Sequence, residues 1–274
     1  MDGGLLVLQR YSLVLRLRNL SAIFFASWSR FAVSAIVSQL LAGAFFFISI
    51  EFDVPTSAAD PHLPAAASPL TGFDRVAWCY DALAALVFGP ALRNTQRAAL
   101  AGLPAGAPHL LILGGGTGWV LTEVLRRRPA ATVLYLEASP RMLARARARL
   151  SPAQLAQVEF RHGTQEALQP NETFDGIITF FVLDCVELAV LPAALDQLNV
   201  ARRPAAPWLL ADFRPARRGW RHLLLAAMYW FFGLTTGLRA RALPDLVAAL
   251  QVRGLRPYMR QHFFAGATEA VVLS

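Results

Sequence analysis

The chain predicts an α/β fold: a doubly wound sheet of seven strands, mostly parallel and finished by an antiparallel hairpin. Three observations predict it. Apolar, β-prone runs at 109–114, 132–137, 157–162, 174–181 and 207–213 alternate with helical patterns near 117–128, 140–150, 164–168 and 187–202. Such βαβ alternation implies parallel strands with helices on both faces of the sheet. The first run leads straight into a glycine turn, Gly114-Gly-Gly-Thr-Gly118, that opens a helix. The last two runs, 256–264 and 268–273, are joined only by Ala265-Gly266-Ala267, a link so short that it makes a hairpin.

The glycine turn is the most informative element. Glycine is needed where the backbone takes open angles and a ligand comes close. The helix that follows presents free N–H groups and a partial positive charge, which together hold an anionic group. The spacing separates the candidate ligands. A dinucleotide fingerprint needs G-x-G-x-x-G, and the third glycine is replaced by Trp119 or Leu121, depending on where counting starts. A P-loop needs Gly-Lys-Ser/Thr, and the chain contains no lysine. What stands here is G-x-G-x-G at Gly114, Gly116 and Gly118. The second strand, Thr132–Glu137, ends in an acid placed to accept hydrogen bonds from two ribose hydroxyls.

These residues resemble the class I S-adenosylmethionine (SAM) methyltransferases. LILGGGTGW looks like their first motif and LYLEAS like the acid of their second strand. Phe73-Asp-Arg-Val-Ala-Trp-Cys-Tyr80-Asp81 resembles the FD-x-x-A-x-x-YD opening of the quinone and small-molecule branch. The likeness covers residues 71–274 and implies a Rossmann-like fold with the last strand inserted beside the fifth.

The resemblance implies SAM as cofactor and a site built as follows. Gly114, Gly115, Gly116 and Gly118 face the methionyl part, and Glu137 takes the ribose. Ala138 and Met142 suit the adenine face. The family commonly has an acid directly after the glycine that follows the third strand. Thr164 stands there instead, with Gln165 next to it as a substitute polar contact. Thr179 and Phe180 form the lip under the sulfonium. Phe181 suits either an apolar wall there or the core. Asp184 is the best acid for orienting or deprotonating an acceptor, and equally suits capping a helix from Val186. Tyr80 falls in the opening helix, which in this branch folds over the cofactor, and is placed to close the site or to touch the sulfonium. The Asn/Asp-Pro-Pro-Tyr signature of enzymes that methylate bases is missing, which argues against a nucleic-acid substrate. The acceptor expected is a small hydrophobic molecule, methylated at oxygen or carbon. The alternative is a non-catalytic SAM-binding or membrane-scaffold protein.

Composition adds bounds. The chain has 274 residues and a net charge of +8, from 26 arginines against 18 acids. The arginines are scattered, and the clusters at Arg126–Arg128 and Arg141–Arg149 read as solvated helix faces rather than a nucleic-acid footprint. Two cysteines give no disulfide framework, and no cluster has metal-ligand spacing. Residues 1–70 stand apart as an extension. Phe31–Ile50 is 20 residues without a charge, long enough to cross a bilayer, and 52–70 reads as a Pro/Ala linker. Arginines precede that run and acids follow it, which would place the remainder outside the cell, away from a cytosolic cofactor. Two readings stand: a membrane-associated extension on a cytoplasmic enzyme, or a true start near Leu70. A second apolar stretch, 222–238, reads as a lid over the acceptor or as an interfacial helix.

Residues 71–274 are expected to be the SAM-binding unit. A chain beginning at Leu70 should bind SAM in calorimetry with the affinity of the full chain. Aggregation or loss of binding would make the extension part of the fold.

Overall fold

The structure is a computed structural model that describes residues 88–216, 218–219, 221–223, 226 and 243–274. The extension, the opening motif with Tyr80 and most of 222–238 lie outside the described residues. No helix among the described residues is long and apolar enough to cross a membrane.

The first helix described is α1 (Ala91–Ala99), followed by β1 (His109–Leu113), α2 (Trp119–Arg127) and β2 (Thr132–Glu137). Next come α3 (Pro140–Ala148), the short α4 (Pro152–Leu155) and β3 (Val158–His162). The second half runs β4 (Gly176–Phe180), α5 (Leu191–Val200), β5 (Trp208–Phe213), α6 (Leu246–Gln251), β6 (Pro257–Phe263) and β7 (Thr268–Leu273). The strands lie in the order β3-β2-β1-β4-β5-β7-β6. The first five are parallel, and β7 runs antiparallel between β5 and β6. The seven-stranded, mostly parallel sheet with β7 inserted beside β5 agrees with the expected arrangement.

Burial explains the strand sequences. β1, β2, β4, β5 and β7 are covered on both faces, so they read as nearly continuous apolar runs. Alternate residues feed two cores. Leu110 and Ile112 join α2 residues Val120, Leu121 and Val124 on one face. Leu111 and Leu113 join α5 residues Leu195 and Leu198 on the other. β3 and β6 are the edges, and they carry Glu159, Arg161, Arg260 and His262, polar groups that discourage further strand pairing.

Helix starts follow local chemistry. Ser139 caps α3 by accepting from the Met142 N–H, with Pro140 at the first turn. Ser151 and Gln154 form a reciprocal capping box on α4. At the far end of the sheet, Asp175 accepts from the His109 N–H at 2.8 Å and ties the start of β4 to β1.

The start of α2 differs. Its N-cap is Gly118, with φ of +90° and no side-chain cap, so its first N–H groups are left for a ligand. A Cβ on Gly118 would lie 2.6 Å from the Ala146 Cα, because α2 and α3 touch there. Gly116 has the same left-handed backbone (φ +62°), yet a Cβ would meet nothing nearer than the Met142 Sδ at 3.9 Å. The two glycines therefore do different work: Gly118 lets two helices meet, and Gly116 leaves space open. Both alanine variants carry the left-handed penalty of roughly 1–2 kcal/mol. Gly118→Ala should lose a further ~1–3 kcal/mol to overpacking, read as a lower urea midpoint than that of Gly116→Ala. Equal midpoints would contradict the close packing.

Candidate active site

The strand order reverses between β1 and β4, so a crevice opens at the carboxyl ends of the parallel strands. A cavity of about 450 Å³ occupies it. Its floor is the glycine turn after β1. Its sides are the end of β2, the turn after β3, the end of β4 and the helix α1.

β2 sets the shape of the turn. Tyr135 and Glu137 are two residues apart on one strand and so project to the same face. The Tyr135 hydroxyl donates to the Gly116 carbonyl at 2.9 Å. The Gly116 N–H donates to Glu137 Oε2 at 2.9 Å. Both polar ends of Gly116 are thus held from β2. Glu137 is only 6% exposed, and its Oε1 also accepts from the Ser139 N–H at 3.0 Å.

Most residues singled out for a cofactor line this cavity: Gly114, Gly115, Gly116, Glu137, Ala138, Met142, Thr164, Gln165 and Phe180. Thr164 also caps the turn Gln165–Ala167 through its hydroxyl. Gly118 and Thr179 are not in the lining. Gly118 lies against α3, as described above. Thr179 is fully buried, and its hydroxyl accepts from the Trp208 Nε1 at 2.9 Å, which commits it to joining β4 and β5.

Asp184 lies in the turn Leu183–Cys185, and α5 begins only at Leu191, so it caps no helix. Its carboxylate is 4% exposed and accepts from the Cys185 thiol at 3.4 Å. Burial pushes its pKa up to about 6. Cys185, not Asp184, reaches the cavity wall. Among the described residues, no group of three His, Cys, Asp or Glu is placed to hold a metal ion.

Sequence reasoning missed one side of the cavity. Arg93, Gln96 and Arg97 of α1 line it together with Trp119. The two guanidinium groups sit over the indole, 5.6 and 5.3 Å from its centre, in cation–π geometry. The signal available was the four-residue spacing of two arginines on one helix; which element they face is a tertiary fact. Phe180, Phe181, Val182 and Val186 add an apolar lining, with Val182 set against Gly114 of the glycine turn. Phe181 takes a left-handed backbone (φ +52°), uncommon for a bulky residue, and its ring packs edge-on against Phe213 at 5.2 Å.

Comparison with known proteins agrees with this geometry. Residues 110–205 match the family model described as a methyltransferase domain. The chain is 29% identical over 195 residues to the ubiquinone/menaquinone biosynthesis C-methyltransferase UbiE of Syntrophotalea carbinolica, covering 66% of this chain and 79% of that one. Its fold superposes on mitomycin 7-O-methyltransferase MmcR with a TM-score of 0.53 and 22% identity, over 73% of this chain. The match spans 60% of the length of MmcR. It also superposes on the 1,6-didemethyltoxoflavin-N1-methyltransferase of Burkholderia thailandensis, solved with bound 1,6-didemethyltoxoflavin and S-adenosylhomocysteine (TM-score 0.53, 16% identity, 79% and 97% of the two chains). Glycine turn, strand-end acid and sheet order agree with the matched region: residues 110–205 form a methyltransferase domain, set in the Rossmann-like fold of the class I SAM-dependent methyltransferases.

Proposed function

We propose that the chain transfers the methyl group of SAM to oxygen or carbon of a small, apolar acceptor. The observation that carries this reading is that one cavity is lined both by the glycine turn with Glu137 and by the apolar side chains of Phe180, Phe181, Val182 and Val186.

The residues present fit the cofactor. The open space over Gly116 admits the methionyl chain. The uncapped start of α2, with Arg93 or Arg97 beside it, suits the methionyl carboxylate. The Glu137 carboxylate, on the cavity wall at the end of β2, suits the ribose hydroxyls. Ala138 and Met142 flank the adenine, with Thr164 and Gln165 at its polar edge. Phe180 and Phe181 bring aromatic faces to the sulfonium, a contact worth ~0.5–2 kcal/mol. When bound, SAM supplies an electrophilic methyl carbon whose bond to sulfur breaks with the electron pair remaining on sulfur.

The protein's own contribution is to align the acceptor with that carbon and to exclude water. An apolar wall does both for an apolar acceptor. The curated relative is named a C-methyltransferase of quinone biosynthesis, and one fold neighbour is an O-methyltransferase, so both acceptor atoms have precedent nearby. Tyr80 retains its proposed role of closing the site. The acceptor class is tested by incubating the protein with methyl-labelled SAM and a cell extract. Label should enter an organic-soluble small molecule; label only in RNA, DNA or protein would overturn this reading.

Glu137→Ala should remove two charge-assisted hydrogen bonds to the ribose, each worth about 1.5–3 kcal/mol, and release the Gly116 N–H as well. SAM affinity measured by calorimetry on the folded variant should fall at least tenfold. Unchanged affinity would remove Glu137 from the cofactor site.

A further inference from the structure

The charged side chains that line the cavity, among the described residues, are Arg93, Arg97 and Glu137. The two arginines stand one turn apart on α1, on the face opposite Thr95 and Ala99. Thr95 and Ala99 are buried, and the Thr95 hydroxyl meets that of Thr268 at 2.9 Å. This fixes α1 on β7 and leaves its arginine face to the cavity. No acid pairs with Arg93 or Arg97 among the described residues. Glu123 of α2 is taken by Arg126 and Arg127. Both guanidinium groups lie over the Trp119 indole instead.

Charge then bears on the acceptor. SAM brings an ammonium, a sulfonium and a carboxylate, so it adds one net positive charge. Two arginines against one glutamate leave the lining positive as well. A loaded cavity therefore holds a positive excess before any acceptor enters, and a cleft of one sign concentrates ligands of the other. The methionyl carboxylate needs the uncapped start of α2 and one guanidinium. The second guanidinium is left over. The packing of α1 tells which it is. The Phe88 ring, just before α1, packs on Phe213 at 5.4 Å, and Phe213 packs on Phe181 at 5.2 Å. Arg93 stands four residues, or about 6 Å of helix, nearer to that aromatic group than Arg97 does. Arg97 lies toward the far end of α2, where its carbonyl accepts from Arg127 Nη1 at 3.3 Å.

We propose that Arg93 binds a carboxylate on the acceptor, so that the molecule methylated is an apolar acid whose carboxylate is not the group that receives the methyl. This rests on the reading of the chain as a methyltransferase for a small acceptor with an apolar body. A guanidinium offers a planar fork of N–H donors that matches a carboxylate with two parallel, charge-assisted hydrogen bonds. Stacking on Trp119 holds that fork in place, so little freedom is lost when the acid binds. The apolar side chains of Phe180, Phe181 and Val186 take the body of the molecule. Its carboxylate oxygens, committed to Arg93, are poor nucleophiles, and the methyl goes to a hydroxyl oxygen or carbon elsewhere on the molecule. Arg93 thus sets which acceptors are chosen, and Arg97 serves the cofactor.

The test uses the full chain, methyl-labelled SAM and an acidified organic extract of the source cells, returned to neutral buffer. The first readout is the charge of the product made by the wild type. It should stay on an anion exchanger at pH 8 and come off at about pH 3, below the ordinary carboxylate range. A labelled product that is not retained at pH 8 is neutral, and it overturns the proposal while the methyltransferase reading stands. One still retained at pH 3 carries a stronger acid and overturns the carboxylate. The second readout compares Arg93→Gln and Arg93→Lys with the wild type. Arg93→Gln should need at least tenfold more extract for half-maximal transfer, with the maximal rate within threefold and SAM affinity within twofold. Arg93→Lys should fall between the two, because it keeps the charge and loses the fork. An unchanged half-maximal point, or a matching loss of SAM affinity, would overturn the role of Arg93. If Arg93→Gln does not fold, Arg93→Lys and the product charge decide. A wild type that labels no small molecule fails the function reading itself and takes this proposal with it.

Discussion

The site depends on one residue being held from both ends. Tyr135 and Glu137, side by side on β2, grip the carbonyl and the N–H of Gly116. Each bond alone is worth about a kilocalorie or two. Together they fix a left-handed peptide in a loop that would otherwise sample many shapes. The start of α2 follows from it, since the turn closes only two residues later at Gly118. The close approach of α2 to α3 at Ala146 follows in turn. The strand that supplies the grip also supplies the acid that faces the cavity, so loop geometry and ligand recognition cannot drift apart.

Stability and chemistry occupy different ends of the sheet. At the amino ends, Asp175 accepts from the His109 N–H and pairs with Arg203, a satisfied and ordinary arrangement. At the carboxyl ends stand the features that cost free energy: the left-handed Phe181, and Asp212 and Asp184, which have no cationic partner among the described residues. Local strain and unpaired buried charge survive only where the surrounding structure holds them. Here that structure is two apolar cores packed on either side of the same strands. The rigid frame tolerates an unrelaxed working end.

The frame was legible because its signals are local. Doubly covered strands such as His109–Leu113 and Thr132–Glu137 must be apolar throughout, and glycine at 114, 116 and 118 has few other uses. Even α4, absent from the reading, carried a visible signature in Ser151-Pro-Ala-Gln154. The rest depended on three-dimensional neighbours. Gly118 and Gly116 look alike in sequence, and only the position of Ala146 separates them. Thr179 was placed at the lip by its strand position, but Trp208, 29 residues on, claims its hydroxyl. Nothing in the sequence tells that Arg93 and Arg97 face Trp119, because that depends on where α1 packs. Asp212 sits in an apolar strand, WLLADF, and only the fold shows that this lone acid is buried with one oxygen unpartnered among the described residues.

The central claim is that this glycine turn and strand-end acid make a SAM site rather than a dinucleotide site. Calorimetric titration of the full chain with SAM, S-adenosylhomocysteine and NAD tests it directly. The account predicts saturable one-to-one binding of the first two and no heat from the third. Binding of NAD, or no binding of SAM by a folded protein, would contradict it.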